Sequence, residues 1–472
     1  MKIDNIDVGK TIEDAKIFLA KEKGISPEFR TIIQLILVLM QAMLTRLGLN
    51  SNNSSKPPSS DPNRNTSNKK KGASKRKPGG QAGRKGSQLK PIKDPDEVKT
   101  LKLDKRRLPK GNYKEAGYES RQVMDFTVSV HVTEYRAQIL IDEKGNRFVA
   151  DFPELVTRPI QYGPKTKASS VYMSQYQLIP YNRIEDYFSD QIGLNISTGS
   201  FFNFNKEACN LLTRFDAIAK EKLIASRRIN VDETGINING KRLWLHTACN
   251  DKWTYFYPHK KRGSEAIDDI GIIPRFSGVI CHDHWKPYYK YNCKHALCNA
   301  HHLRALEWSQ SEDKQGWAQV LQKFLLKLNK KVDNAGGMLT KRQYDYYKKE
   351  YMKILNKADS ECPPPKDERE TGKRGRLKKS KSRNLLERLR EYVDDVLRFV
   401  EDSDVPFTNN QGENDLRMTK VQQKVSGCFR SYEGALIFSR IRAYLITCRK
   451  HDLGATDALE MLFRGELPDF IG

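Results

Sequence analysis

The stretch RINVDETGINI, Arg228–Ile238, is the one whose reading decides the fold. It is rich in β-branched residues, lacks proline and runs into the turn residues Asn239-Gly240, the pattern of a strand. Two more strand-like runs follow, KRLWLHTACN (Lys241–Asn250) and KWTYFYPHK (Lys252–Lys260). Beyond them SEAIDDIGIIPRF (Ser264–Phe276) is a helix candidate, and SGVICHDHW (Ser277–Trp285) is a further strand that ends on an acid. Three consecutive strands, a helix and another strand predict an α/β layer with a mixed sheet.

Two carboxylates stand out in this frame. Asp232 follows Ile-Asn-Val inside one strand, and Asp283 follows Val-Ile-Cys-His at the end of another. A charge on an otherwise apolar strand is costly unless something compensates it, and a divalent cation held by one or two carboxylates does so. Strand alternation sends Asp232 and Thr234 to one face and Glu233 to the other, so Glu233 is left out of the expected site.

A third acid comes from PFTNNQGENDLR, Pro406–Arg417. Read alone, this is a well-begun helix. Asn410 is a good N-cap, Glu413 three residues later completes a capping box, and Arg417 lies one turn on. With two strand aspartates available, Glu413 has a second reading as part of a set that holds two metal ions about 4 Å apart. Glu413, Arg417, Lys420 and Lys424 share one helix face, a basic stripe suited to the DNA backbone. Arg430 follows as a further DNA contact. Cap and metal compete for the same carboxylate. The expected resolution is that Asn410 caps alone and Arg417 turns to phosphate.

In CKHALCNAHHLR, Cys293–Arg304, Cys298 and His301 form one short ligand pair without a second well-spaced pair. A structural or substrate-contacting role suits them better than a closed zinc site. His301 and Arg304, one turn apart if helical, face either the acids or phosphate.

The whole chain is strongly basic. Its 472 residues carry 83 Lys and Arg against 58 Asp and Glu, a formal charge of +25, which points to a polyanionic partner, nucleic acid before membrane. The basic clusters Lys69-Lys70-Lys71 and Lys75-Arg76-Lys77 sit in a Ser, Asn, Pro and Gly-rich segment expected to be disordered until it meets that partner. The N-terminus MKIDNIDVGK is not a signal peptide, and eight scattered cysteines do not form a secreted disulfide framework, so a cytoplasmic, nucleoid-associated protein is expected. The run TIIQLILVLMQAML is short for a membrane span. Its Ile32, Ile36, Leu39 and Met43 form a coiled-coil seam, read as a dimerising or subunit-docking helix.

These blocks resemble insertion-sequence-66 family transposases in the family's order: NSNNSSKPPSSD, VDET, HDHWKPYYKY, HALCNAHHLR, PFTNNQGENDLR and KVSGCFRSYEGALIFSRIRAYLITCRKH. The resemblance implies an RNase H-like catalytic core split by a helical insertion, with Asp232, Asp283 and Glu413 as a DDE triad and metal ligands. It implies two Mg²⁺ or Mn²⁺ ions, binding of inverted-repeat ends, cleavage, and joining of 3′ ends to target DNA. It also implies a homo-oligomer assembled on DNA, and small accessory proteins in some relatives. The Cys298-x-x-His301 pair recurs in several such groups. Many relatives carry a small zinc module after the basic linker; no cysteine lies between Leu101 and Ile160 here, so zinc is not expected there. A non-cutting DNA-binding derivative and a structure-selective nuclease remain the alternatives.

The expected organisation is an N-terminal helix (1–50), a basic linker (51–95), a small β-rich module (96–160) and a helical, helix-turn-helix-like domain (161–225). The first core segment (226–310), a helical insertion with a basic loop (311–400), the second core segment (401–452) and a tail helix (453–472) complete it. In IPYNRIEDYFSDQIGLNISTGSFFNFNKEACNLL a helix, a turn at Ile192-Gly193-Leu194 and a second helix capped by Ser197 fit either a DNA-contacting motif or a plain hairpin.

Overall fold

The computed structural model describes residues 2–3, 6–22, 24–47, 53, 90–114, 116–365 and 379–471. Both lysine-rich clusters of the linker, and most of the basic loop after Cys362, lie outside the described residues. The chain begins with two short paired strands, β1 (Lys2–Ile3) and β2 (Ile6–Asp7), then helices α1 (Val8–Lys21) and α2 (Pro27–Leu47). The helices pack through Ile12, Leu19 and Leu37. The expected seam of α2, Ile32, Ile36, Leu39 and Met43, is exposed. By length and composition the Pro27–Leu44 window is sufficient to cross a membrane, so shortness does not separate a span from a docking helix.

Within the β-rich module expected over residues 96–160, one hairpin forms among the described residues, β3 (Ile139–Ile141) with β4 (Arg147–Val149). Its turn is closed by the Gly145 N–H donating to Asp142 O at 3.0 Å. Val123, Phe126 and Val132 upstream are exposed. Alternation specifies a strand only when one face has something to bury against, and a lone hairpin is marginal.

The helical segment comprises α3 (Pro164–Val171), α4 (Tyr181–Tyr187), α5 (Thr198–Leu211) and α6 (Thr213–Ile224). Gly193 takes the left-handed conformation at the turn, with φ 74°, and Ser197 caps α5 by accepting from Ser200 N–H. Phe201 and Phe204 are buried in the main core.

Next come β5 (Arg228–Ile238), β6 (Lys241–Cys249), β7 (Thr254–His259), α7 (Ser264–Ile270), β8 (Val279–His282) and β9 (Lys294–Leu297). They form one five-stranded mixed sheet in the order β7-β6-β5-β8-β9. The first three strands are antiparallel neighbours, and β5-β8 and β8-β9 are parallel. β8 shows why the sheet is sandwiched. Ile280 enters one core, with the helical segment and the C-terminal helices, whereas Val279 and Cys281 enter a second core. A strand buried on both faces reads as a continuous apolar run.

That second core is built by α8 (Asn299–Ser311), α9 (Gly316–Asn334), α10 (Lys341–Glu361), α11 (Lys381–Glu391) and α12 (Val393–Glu401). These helices are fused to the β9 side of the sheet. Arg398 donates to His295 O at 2.5 Å, and Asn299 Nδ2 donates to Val396 O at 3.1 Å. The chain closes with α13 (Asn410–Ser426), α14 (Tyr432–Lys450) and α15 (Ala455–Phe463). A largely buried ion pair, Lys450 to Asp415 at 2.8 Å, locks α13 to α14, and Asp415 also accepts from Thr254 Oγ1 of β7.

Candidate active site

β5 pairs with β8 only from Arg228 to Asn230, and beyond that the two strands part. α13 takes over the freed edge of β5: Lys420 Nζ donates to Gly235 O at 2.6 Å, and Asn237 N–H donates to Gln423 at 3.2 Å. Asp232 lies on β5 just past the parting, and Asp283 is the first residue after β8. Glu413 sits in the first turn of α13. Three separate elements thus bring three acids to one place.

Their mutual influence is electrostatic. Burial, then the neighbouring carboxylates Glu233, Asp283 and Glu413, hold the Asp232 carboxyl well above the usual range, opposed only by the Glu233 N–H that it accepts at 2.8 Å. Asp283 accepts from Trp285 N–H at 3.0 Å across a turn in which His284 has φ 73°. Glu233 is engaged elsewhere: it accepts two bonds from Arg262, at 2.8 and 2.6 Å, and one from Tyr288 at 2.6 Å.

The start of α13 corrects the expected capping box. Asn409, not Asn410, is the N-cap, and no side chain caps the helix. Asn410 is the first helical residue. The Asn409 side chain is used in a tertiary clasp: Nδ2 donates to Val231 O at 2.9 Å, and Oδ1 accepts from Asn230 Nδ2 at 2.7 Å. Its backbone N–H donates to Cys298 Sγ at 3.1 Å, and its carbonyl accepts from Glu413 N–H at 3.3 Å. One residue, 1% exposed, ties β5, the entry to α8 and α13 together beside the acids.

Cys298, His301 and Glu413 form the tightest donor set among the described residues, with ligand atoms all within 4.8 Å of one another. Asp232, Asp283 and Glu413 sense one another without forming so tight a set. Glu413 Oε1 and His301 Nδ1 are 3.7 Å apart, too far for a hydrogen bond, and both are buried without a partner among the described residues. Such orphaned donors suit a cation. The carboxylates supply the oxygens that a hard divalent ion takes. The Cys298 thiol is pushed up by burial and already accepts a hydrogen bond, so it is not prepared as a thiolate ligand.

Cations surround the acids. Burial first, then the Arg304 charge, hold His301 below its ordinary range, against Glu413 and Asp283. Arg304 Nε is buried with no hydrogen bond among the described residues. Arg417 and Arg430 are exposed, and Arg417 pairs with no acid among the described residues; Lys424 is also exposed. Sequence reasoning missed Arg388, on α11 of the insertion. Its Nε is buried without a hydrogen-bond partner among the described residues, and its charge faces Asp283, His301 and His302. One turn on, Tyr392 sets its ring 4.5 Å from that of His284, beside Asp283. No local signal marks Arg388 among the many charges of the insertion.

Fold and site together define a mixed α/β protein that gathers carboxylates and basic side chains where two strands part. The chain belongs to the IS66 transposase family, whose sequence model matches residues 159–436, well over half of it. A second model, of a family of unknown function, matches residues 28–90. Comparison with curated proteins gave no match. Membership gives the chain a transposase role, with DNA as the substrate and divalent metal use as the family's general chemistry.

Proposed function

We propose that the chain binds the inverted-repeat ends of an insertion sequence, cleaves them at Asp232, Asp283 and Glu413, and joins the 3′ ends to target DNA. One observation carries this reading: three acids from three elements converge, and burial with mutual repulsion raises the Asp232 carboxyl. Nothing in a purely structural role requires that arrangement, whereas divalent cations relieve it. Mg²⁺ or Mn²⁺, two ions when bound, supply Lewis-acid stabilisation of the phosphodiester and an activated water or 3′-hydroxyl.

The chain's own residues hold and orient. Asn409 fixes the start of α13 against β5, so that Glu413 faces the strand acids. Arg304, Arg388 and His301 present donors to the phosphate undergoing substitution, and Arg417, Lys424 and Arg430 hold flanking backbone. The sheet order, three antiparallel strands followed by two parallel ones, supports an RNase H-like core with α9–α12 as the insertion. α4 and α5 serve end recognition, and the exposed α2 seam serves assembly of copies, and of any accessory protein, on DNA in the cytoplasm.

The test is incubation of the chain with DNA carrying the sequences that flank its gene, in Mg²⁺ or Mn²⁺, mapping every cut and joint to the nucleotide. Cutting at the element ends and strand joining are expected. Asp232→Asn, Asp283→Asn and Glu413→Gln should each lower cleavage on the order of 10³-fold or more while DNA binding persists. Full cleavage by any of them refutes the assignment. Binding without cutting favours a non-cutting derivative, and cutting without joining a nuclease.

A further inference from the structure

We propose that the groove between the β5–β6 hairpin and the second half of α13 seats a DNA backbone phosphate that flanks the scissile bond. This rests on the reading of Asp232, Asp283 and Glu413 as the cleavage centre, and adds residues that reading does not use.

The groove has a volume of about 620 Å³ and is lined by Gly235, Arg242, Trp244, Arg262, Lys420 and Gln423 among others. Its floor is a cation–aromatic stack. The Arg242 and Arg262 guanidinium carbons lie 4.7 and 4.8 Å from the Trp244 ring centre, and Arg262 lies 4.4 Å from that of Trp285. Two guanidiniums already over the indole leave the groove offering N–H donors to an anion rather than an open ring to a base.

The charges do not balance. Arg262 is compensated by Glu233, whose side chain is 1% exposed. Arg242 and Lys420 have no carboxylate partner among the described residues, and Lys420 bonds only to a carbonyl, Gly235 O. Burial first, then the Arg242 charge, lower the Lys420 ammonium, so the two cations are close enough to repel. An anion between them removes that repulsion and gains charge-assisted hydrogen bonds. Gly235 makes room: a Cβ there would come within 3.0 Å of Arg242 Nε. That tight contact falls on the end of a flexible side chain, so Gly235→Ala shifts the guanidinium by a few tenths of an ångström without disturbing the strand.

Position selects DNA as the source of the anion. Lys420 lies seven residues after Glu413 on one helix, roughly 10 Å along its axis. That is about three base-pair steps of B-form DNA. A strand cut at the acids and running along α13 would therefore place a phosphate in the groove.

Ethylation interference on the full chain tests this, with a duplex carrying the sequences that flank its gene. Ethylating the phosphate about three nucleotides from the mapped cut should block binding by the unmodified chain. Arg242→Ala should lose interference at that phosphate alone, Gly235→Ala should weaken it there, and Arg242→Lys should keep it. Arg242→Ala should also lower the slope of log affinity against log salt by about 0.9. An identical interference pattern in the unmodified chain, Arg242→Ala and Gly235→Ala overturns the groove. Absence of any cut in Mg²⁺ or Mn²⁺ instead overturns the cleavage centre. Interference is read on binding alone, so its difference between variants then still decides whether the groove holds phosphate.

Discussion

Asn409 and Asp232 show how much a single side chain decides here. Asn409 makes two buried side-chain hydrogen bonds, to Val231 O and Asn230 Nδ2. Asn409→Ala leaves both groups unpaired, so denaturant unfolding should show a loss of about 2–4 kcal/mol. Cleavage should fall further than DNA affinity, because what is lost is the position of Glu413. Asp232 is the opposite case, a residue whose ionised form opposes folding. Its carboxyl is held up by burial and by Glu233, Asp283 and Glu413, so the folded state binds its proton more tightly than the unfolded chain. Any stability this gives is present at low pH and lost as pH rises through the raised value. In chelator at alkaline pH, Asp232→Asn should therefore melt at a higher temperature than the unmodified chain, and the gain should vanish in acid. A variant that melts lower throughout would mean that Asp232 is not strained by its neighbours.

At the scale of elements, the helical insertion reaches back into the site through α11. Arg388 buries its Nε with no hydrogen bond, near Asp283. A guanidinium whose buried Nε makes no hydrogen bond among the described residues adds little to stability but is placed to meet charge on a phosphate. Arg388→Met should leave the unfolding free energy within about 1 kcal/mol and lower cleavage on the order of 10²-fold. A large stability loss with unchanged turnover would make it a structural residue. The contrast between Arg388 and the strand acids explains what is legible in advance. Asp232 lies inside one strand and Asp283 directly follows the apolar run of another, so their positions single them out. Arg388 is one guanidinium in a helix full of charge, and only tertiary packing tells it from Arg390, which pairs with Asp359 at 2.7 Å. Sequence places the α13 start one residue late because Asn409 and Asn410 are equally good local caps. The clasp to β5 makes the choice, a contact between residues 178 apart in sequence. The β-rich reading of residues 96–160 finds only the β3–β4 hairpin among the described residues, because alternation without a buried partner face carries little energy.

At the scale of the whole molecule, the sheet and its two cores enclose histidines as neutral groups, which makes the fold sensitive to acid. Burial first holds His246, His282 and His302 below the ordinary imidazole range. Burial, with repulsion from His259 and Arg262, pushes His246 of β6 down to about 4, opposed by its Nε2–H donating to Lys261 O at 3.2 Å. The unfolded chain takes this proton near 6.5, the folded chain only near 4. His246 thus contributes stability that is complete above the unfolded value and is lost as pH falls from 6.5 towards 4. The gap corresponds to roughly 3 kcal/mol. Asp216, Asp232 and Glu233, held up by burial, act with the opposite sign, so the pH curve of the unmodified chain alone is a sum of opposing trends. Comparison with a variant isolates the histidine. His246→Gln should melt below the unmodified chain at neutral pH, because a buried hydrogen bond and packing are lost. The two should converge, and the order reverse, as pH approaches about 4, where the unfolded chain's protonated His246 has cost the unmodified fold its advantage. Melting curves that stay parallel across that range would show that His246 titrates alike in both states, and that the sheet does not bury it as a neutral group.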